Sequence, residues 1–260
     1  RNYAALVIWQ TEPPFSVGAN LKKTTPGDGP RTPPTAASKF LRQFKKAAES
    51  AILKAARTLN VADQLMAGKL AEVEHLVEQF QITTGQLKYS MVPTVAAVDG
   101  LALGGGCEFV MHCDRAVATL ESYIGLVEVG VGLLPAGGGC KEFALRAAQE
   151  AKGGDAFPFL RRYFESVAMA QVGRSAEHAR EIGYLRASDR IVMNRFELLA
   201  IAKSEARALA EGGYRPPLRA RDIPVLGRSA AATIKAFIAN MREGQNCWPP
   251  KKRRHASSRC

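Results

Sequence analysis

Cysteine is scarce in this 260-residue sequence and follows no framework. There are five cysteines, an odd number, and the spacing of Cys107, Cys113 and Cys140 matches no zinc-binding or redox pattern. No disulfide scaffold is indicated, so the sequence is typical of a reducing compartment. We therefore expect these three thiols to fill small spaces in the core.

Long apolar stretches and a dinucleotide-binding fingerprint are also missing. No run is apolar over the roughly 20 residues that a membrane-spanning helix requires, and no signal-peptide pattern is present. These absences predict a cytoplasmic protein. The motif GxGxxG does not occur, so any NAD chemistry would have to come from elsewhere. With 47% hydrophobic residues, the chain can bury a sizeable core, as one main domain with a smaller helical addition.

Glycine, by contrast, is clustered. Gly104–Gly106 stand between a strand-like run, Met91–Val98, and an apolar helical pattern, Cys107–His112. Glycines at the start of a helix let main-chain N–H groups approach a ligand at the helix end that favours negative charge. The triplet therefore predicts a site for an anion or a polarised carbonyl. The alternative is a tight strand-to-helix turn without a ligand.

Two more glycine loops flank this one. Phe15–Lys22 follows a strand-like run, Ala4–Trp9, and offers a second set of N–H donors. Gly137–Gly139 precedes a further helical pattern, Lys141–Ala151. Together these loops reduce the weight of the turn-only interpretation of Gly104–Gly106.

Two glutamates, Glu108 and Glu128, stand twenty positions apart. Glu108 follows the triplet Gly104–Gly106 by two positions. Glu128 lies among apolar and glycine residues in Tyr123–Pro135. A carboxylate in such surroundings is expected to have a raised pKa and to exchange protons near neutral pH. Two structural alternatives stay open. Glu108 could be a helix-start carboxylate favoured by the helix dipole, and Glu128 could pair with an arginine.

From about Ala4 to Arg146, and most strongly between Val92 and Gly139, these residues resemble the crotonase superfamily of enoyl-CoA hydratases and isomerases. The resemblance implies an α/β fold, with a crotonase-like ββα spiral core that lacks its first strands and a C-terminal helical part. No metal and no bound cofactor are implied, because the coenzyme A thioester is the substrate.

The same resemblance divides the chain into three parts. Residues 1–150 form a partial catalytic core that carries a helical insert at about 24–60. Residues 151–244 form the helical C-terminal part, and 245–260 form a disordered basic tail. The insert either caps the acyl pocket or is a plain surface helix, and both interpretations stay open.

An oxyanion site and an acid–base pair follow from the resemblance. It implies that the peptide N–H groups of Ala19 and Gly105 bind the thioester oxygen of an acyl-CoA. It also implies that Glu108 holds and deprotonates the water that attacks C3, while Glu128 supplies the proton to C2. Isomerases of this superfamily usually keep one of these acids, so the presence of both favours a hydratase.

Three residues that follow Ala19, namely Asn20, Leu21 and Lys22, are implied to contact coenzyme A. Asn20 stands where the family usually has Asp, and its side chain can still form the turn hydrogen bonds. Four aromatic residues are candidates to line the acyl pocket, although core packing is favoured for most of them: Phe157, Phe159, Tyr163 and Phe164.

The segments Tyr123–Gly132 and Tyr214–Leu218 look most like the hydratase portion of bacterial fatty-oxidation proteins that also carry a 3-hydroxyacyl-CoA dehydrogenase. This implies enoyl-CoA hydratase activity in fatty acid β-oxidation. NAD is implied only where a separate dehydrogenase domain is present. A homo-oligomer or association with such a domain is expected, and a membrane partner is not.

The net charge of +12 keeps other functions open. Basic residues gather between Lys22 and Arg57, in the C-terminal half and at Lys251–Arg254, while residues 99–150 carry more acids than bases. A cationic rim suits the phosphates of coenzyme A, but it also attracts RNA non-specifically. A non-catalytic acyl-CoA- or RNA-binding protein and an inactive fragment therefore stay as alternatives, although no nucleic-acid motif is present.

Overall fold

The structure, a computed structural model, describes residues 3–17 and 70–243. The insert predicted at about 24–60 and the tail predicted at 245–260 lie outside the described residues. Outside them as well are four predicted site residues: Ala19, Asn20, Leu21 and Lys22.

Four parallel strands form the main sheet of the described residues, in the order β1-β2-β4-β6. Their bounds are Leu6–Ile8 for β1, Thr94–Val98 for β2, Arg115–Thr119 for β4 and Arg190–Val192 for β6. The register pairs Val7 with Val95 and Ala96 with Ala116. β2 is buried along its whole length, because both faces of an inner parallel strand are covered. Its sequence is accordingly almost entirely apolar.

A second, two-stranded sheet pairs β3 (Leu101–Leu103) with β5 (Tyr123–Gly125). Gly100 has a φ of +73° and turns the chain from β2 into β3. The order strand, strand, helix then occurs twice along the chain, first as β2, β3 and the helix Gly105–His112 (α2), then as β4, β5 and the helix Gly139–Ala151 (α3). The structure therefore has the crotonase-like α/β fold that the sequence predicts.

Helices pack around the main sheet and make up most of the described chain after β5. Within the described residues the α-helices are Leu70–Lys88 (α1), Gly105–His112 (α2), Gly139–Ala151 (α3), Phe157–Ala168 (α4), Ala176–Glu181 (α5), Leu198–Glu211 (α6) and Gly227–Glu243 (α7). Two 3₁₀ helices lie at Glu128–Val131 and Arg195–Glu197. Among the helices described, none has the length and apolar character to cross a membrane.

The core has one layer on each face of the main sheet. On one face, α6 packs over Val95 and Ala97 of β2. On the other face, Ala96 and Val98 join residues of α2 and α3, among them Met111. Successive residues of β2 alternate between the layers because side chains of a strand have a period of two. This packing fixes α2 against the sheet, with its N-terminus just beyond β3.

Most predicted elements occur with shifted ends. The helix predicted at Lys141–Ala151 corresponds to α3. A turn just before β6 is held by Asp189, whose carboxylate accepts hydrogen bonds from the backbone N–H groups of Ala116 (2.8 Å) and Arg186 (2.6 Å). The strand β6 begins at the next residue.

Candidate active site

The glycine triplet before α2 is required by close packing as well as by the turn. Gly104 adopts a φ of +55°, and Gly105 is the first residue of the helix. A Cβ on Gly105 would lie 3.0 Å from the ring of Phe80, and a Cβ on Gly106 would lie 2.4 Å from Ser16. The first N–H groups of a helix have no carbonyl partner within it. The turn thus presents the N–H of Gly105 at the positive end of α2.

Phe15 and Ser16, where the glycine loop Phe15–Lys22 begins, lie beside β3 and the start of α2. Phe15 donates its N–H to Asp99 O (3.0 Å) and Ser16 donates to Leu101 O (2.7 Å), while Leu103 donates to Ser16 O (2.9 Å). The chain therefore runs along β3 toward α2 before it leaves the described residues. Of the two predicted oxyanion donors, the structure describes Gly105 and not Ala19.

Glu108 lies within α2 and is 2% exposed. Its Oε1 accepts a hydrogen bond from the N–H of Gly139 at 2.8 Å. A Cβ on Gly137 would lie 2.6 Å from Glu108 Oε2. The third glycine loop, residues 136–139, therefore lies close around this carboxyl group. Burial raises the pKa of Glu108, while the N–H groups of Gly137 to Gly139 and the charge of Lys141 oppose the rise.

Glu128 lies in different surroundings. It begins the 3₁₀ helix that follows β5, and its Oε2 is buried without a hydrogen-bond partner among the described residues. Burial, together with the negative charge of Glu108, raises the pKa of Glu128 to about 7. Within residues 3–17 and 70–243, Glu128 forms no ion pair, so the alternative of an arginine partner finds no support there.

The two glutamates and the start of α2 form one candidate site. One carboxyl group is oriented by backbone N–H groups, and the other is free to donate or accept a proton near neutral pH. The first helix N–H, that of Gly105, lies three residues before the first carboxyl group. Such a set can polarise a carbonyl and move protons on either side of it. In the described part of the chain, no three His, Cys, Asp or Glu side chains lie together as a metal site.

The prediction that the three cysteines fill the core is confirmed for two of them. Cys107 and Cys113 are buried as expected, whereas Cys140 is exposed, so its assignment to the core is wrong. Cys140 directly follows Gly139 in the first turn of α3 and lies outside the core. His112 is buried, with Nδ1 at 2.6 Å from Glu108 O, and burial lowers its pKa to about 4. His75 is exposed.

The aromatic residues of α4 serve the core where their contacts are described. Tyr163 is buried and stacks on Phe143, with ring centroids 4.4 Å apart. Its hydroxyl donates a hydrogen bond to Glu150. Phe159 packs against the same apolar cluster. These contacts agree with core packing and place neither ring beside Glu108 or Glu128.

A cavity of about 740 Å³ lies at the C-terminal end of α2 and is lined by neither glutamate. Two of the arginines that line it are bound to backbone carbonyls: Arg146 donates to Gly183 O (2.6 Å) and Arg186 donates to Met111 O (2.6 Å). Cations at helix C-termini stabilise those ends. We therefore assign this cavity a structural role and place the chemistry at the other end of α2.

Two polar residues of α1 contact the third glycine loop and were not predicted. Gln81 Nε2 donates to Ala136 O at 2.7 Å, and Thr84 Oγ1 donates to Gly137 O at 2.6 Å. The only sequence signal for Thr84 is its place on the apolar face of α1, four residues after Phe80. A polar residue at such a position needs a buried partner.

Comparison with known proteins shows which family this region resembles. Residues 62–153, which include both glutamates, match the family model described as Enoyl-CoA hydratase/isomerase. A Bacillus subtilis protein named "Probable 3-hydroxyacyl-CoA dehydrogenase" is 40% identical over 171 residues, which cover 66% of this chain and 21% of that protein. Methylglutaconyl-CoA hydratase of Rattus norvegicus is 42% identical over 69 residues, covering 26% of this chain and 22% of the relative. The chain thus spans about a fifth of the length of these curated relatives.

Solved structures agree on the fold. The structure of Pseudomonas aeruginosa DspI superposes with a TM-score of 0.52 at 23% identity, covering 96% of this chain and 69% of that one. The sequence matches support membership of this chain in the crotonase superfamily, the enoyl-CoA hydratases and isomerases.

Proposed function

We propose that this chain hydrates trans-2-enoyl-CoA thioesters to 3-hydroxyacyl-CoA, as a step of fatty acid β-oxidation. The observation that carries the proposal is the pairing of Glu108 with Glu128 in unlike surroundings. Hydration requires a base for the water and an acid for C2. Two carboxyl groups whose surroundings differ can supply one of each.

Glu108 is suited to the role of base. Its carboxylate, held by the N–H of Gly139, takes a proton from water while the water oxygen bonds to C3. The electrons of the C2–C3 double bond move toward the thioester carbonyl, whose oxygen becomes enolate-like. The N–H of Gly105 donates to that oxygen, and Ala19 is the proposed second donor. Each such donor contributes about 3–4 kcal/mol in comparable sites.

Glu128 is suited to the role of acid. With a pKa of about 7, a large share of this group carries a proton at neutral pH. It gives that proton to C2 as the carbonyl re-forms, so that one water has been added across the double bond. Glu108 is then protonated and Glu128 is not. Exchange of protons with solvent restores both groups.

We further propose that a 3-hydroxyacyl-CoA dehydrogenase uses the product. The relative from Bacillus subtilis bears that name and is several times longer than the matched region. Hydration itself needs no bound cofactor under this proposal, and NAD belongs to the dehydrogenase step. Asn20, Leu21 and Lys22 are the proposed contacts to coenzyme A, and the cytoplasm is the proposed location. Non-catalytic acyl-CoA or RNA binding is not favoured by the family or by the paired glutamates.

Turnover of a short and a long trans-2-enoyl-CoA tests the proposal, measured as loss of the conjugated thioester absorbance. The parent chain should hydrate at least one of them. E108Q and E128Q should each lower kcat by about 10²–10⁴-fold while acyl-CoA binding stays close to that of the parent. Parent turnover that neither substitution reduces would reject these roles. Absence of parent turnover with intact binding would support a non-catalytic acyl-CoA-binding protein instead.

A further inference from the structure

One face of α1 contacts the backbone that surrounds Glu108. Thr84 is 1% exposed, and its hydroxyl has a single proton to donate. Gly137 O lies at 2.6 Å and Gln81 O at 3.1 Å, so Gly137 O is the better acceptor. Gln81, three residues earlier, donates to Ala136 O at 2.7 Å. Two successive carbonyl groups of the third glycine loop are thus held by α1.

Peptide geometry converts these contacts into an effect on Glu108. A trans peptide is planar, so its C=O and its N–H point in opposite directions. When Thr84 holds Gly137 O, the N–H of Gly138 points away from α1. When Gln81 holds Ala136 O, the N–H of Gly137 does the same. Both N–H groups act on Glu108 in the direction that favours its carboxylate, together with the N–H of Gly139.

Phe80 completes this contact surface. A Cβ on Gly137 would lie 1.9 Å from its ring, and one on Gly105 would lie 3.0 Å from the same ring. The ring also packs edge-on against Phe109, one residue after Glu108, with centroids 5.1 Å apart. The loop cannot shift toward α1 without meeting this ring. The hydroxyl of Thr84 therefore acts on a peptide whose position is already restricted.

We propose that Thr84 is a positioning residue for Glu108: its hydroxyl orients the peptide between Gly137 and Gly138 so that the N–H faces the Glu108 carboxyl group. This inference rests on the proposed hydratase function for its effect on turnover, but its structural part stands without it. Thr84 touches no reacting atom. It acts through the backbone of the loop alone.

Loss of the hydroxyl should weaken the support that Glu108 receives. Other groups also act on this carboxyl group and stay in place: Lys141 favours its charged form, and Glu128 and Cys140 are coupled to it. When the N–H of Gly138 points less directly at Glu108, the carboxylate is less stable relative to the protonated form. The pKa of Glu108 should therefore rise further. Because a hydrogen bond is a modest net interaction, the rise should be up to about one pH unit.

Titration of the Glu108 carboxyl group by ¹³C NMR tests the inference without relying on turnover. The E128Q background removes the neighbouring titration, and E108Q assigns the signal. In that background, T84V should raise the midpoint, whereas T84S, which keeps the hydroxyl, should not. An unchanged midpoint in T84V would overturn the inference.

The chain offers a matched control and a second probe. Thr83 is exposed on the same helix, and its hydroxyl donates to Gln79 O at 2.8 Å, so T83V makes the same chemical change away from the loop. It should leave the midpoint unchanged, and an equal rise in T83V would assign the effect to the helix instead. Should T84V fold poorly, Q81M at an exposed position removes the neighbouring contact and should also raise the midpoint.

Turnover then separates this inference from the function. With crotonyl-CoA, T84V should move the acidic limb of kcat/KM to higher pH and lower the rate up to about tenfold below it, with T84S close to the parent. A shifted midpoint in an inactive parent would support the positioning role and reject the function. Parent turnover, with an acidic limb that T84V does not shift, would support the function and reject the positioning role.

Discussion

Glu108 and Glu128 show how surroundings divide the work of two identical side chains. The N–H of Gly139 donates to one carboxyl group, while Oε2 of the other is buried without a partner in the described part of the chain. The first arrangement favours a carboxylate, and the second favours a proton. Under the proposed function, this difference assigns base and acid before any substrate is bound.

The pKa of Glu128 predicts a pH-dependent stability. The folded chain holds this proton up to about pH 7, whereas the unfolded chain releases it near the ordinary value of 4.5. Between these two values the folded state binds more protons, so stability falls as pH rises. E128Q removes this loss. The Tm of E128Q minus that of the parent should therefore rise across this interval and be flat outside it.

A matched control at the surface isolates the effect. Glu121 is exposed in the turn before β5, and E121Q removes one carboxyl group without removing a buried one. Its Tm difference from the parent should stay nearly constant between about pH 4.5 and about pH 7. If the difference for E128Q were equally flat, the buried state of Glu128 would be contradicted.

Glycine positions in the same region should differ sharply in their tolerance of a methyl group. At Gly137 a Cβ would meet the Phe80 ring at 1.9 Å, so G137A should lower the free energy of unfolding by about 1–3 kcal/mol. At Gly85, within α1, no atom of the described residues lies within 4 Å of the added carbon, so G85A should raise the free energy of unfolding by about 0.5–1 kcal/mol. Urea unfolding measures both. Equal effects at the two sites would be inconsistent with the packing described.

At the scale of the element, α1 is fastened to α3 by a buried ion pair. Lys88 Nζ lies 2.6 Å from Glu142 Oε2, with side chains 15% and 2% exposed. Removing the lysine leaves a buried carboxylate that still has Lys141 Nζ and the neutral His112 ring, each 3.5 Å from Glu142 Oε1. K88M should therefore cost about 3–5 kcal/mol of unfolding free energy, toward the lower end because these contacts remain.

Two further variants separate burial from charge. K88M/E142L removes both ions and should recover much of the loss, because no unpaired buried charge is left. Arg207 and Glu211 pair at 3.7 Å on the exposed side of α6, with side chains more than 70% exposed. R207M should accordingly change stability by at most about 1 kcal/mol. A K88M effect as small as that of R207M would show that the buried pair adds little.

Elements also mark the limit of what the sequence predicts. The glycine loops and both glutamates were found because turns that need glycine and carboxylates in apolar runs are visible locally. Thr84 was missed because its acceptor, Gly137 O, is 53 positions away and carries no side chain to signal it. Cys140 was misplaced because exposure depends on where α3 begins, and helix ends are set by packing as much as by local sequence.

On the scale of the whole molecule, net charge separates two functions that the sequence left open. A charge of +12 attracts any polyanion. For an acyl-CoA hydratase, that charge acts on the phosphates of the substrate during encounter and binding, and not on the chemical step. For an RNA-binding protein, the affinity for RNA would fall steeply as salt rises. Such a protein would not hydrate crotonyl-CoA.

Salt dependence of the kinetics follows from this distinction. Between about 50 and about 500 mM NaCl, screening shortens the reach of surface charge, so KM for crotonyl-CoA should rise several-fold while kcat stays nearly constant. Crotonyl-pantetheine carries the same reacting group without the nucleotide phosphates, and its KM should change little. If the KM for crotonyl-CoA did not change with NaCl concentration, the positive charge would not serve substrate binding. Equal rises for both substrates would show that salt acts on the protein itself, because only one of them presents phosphates to the cationic surface.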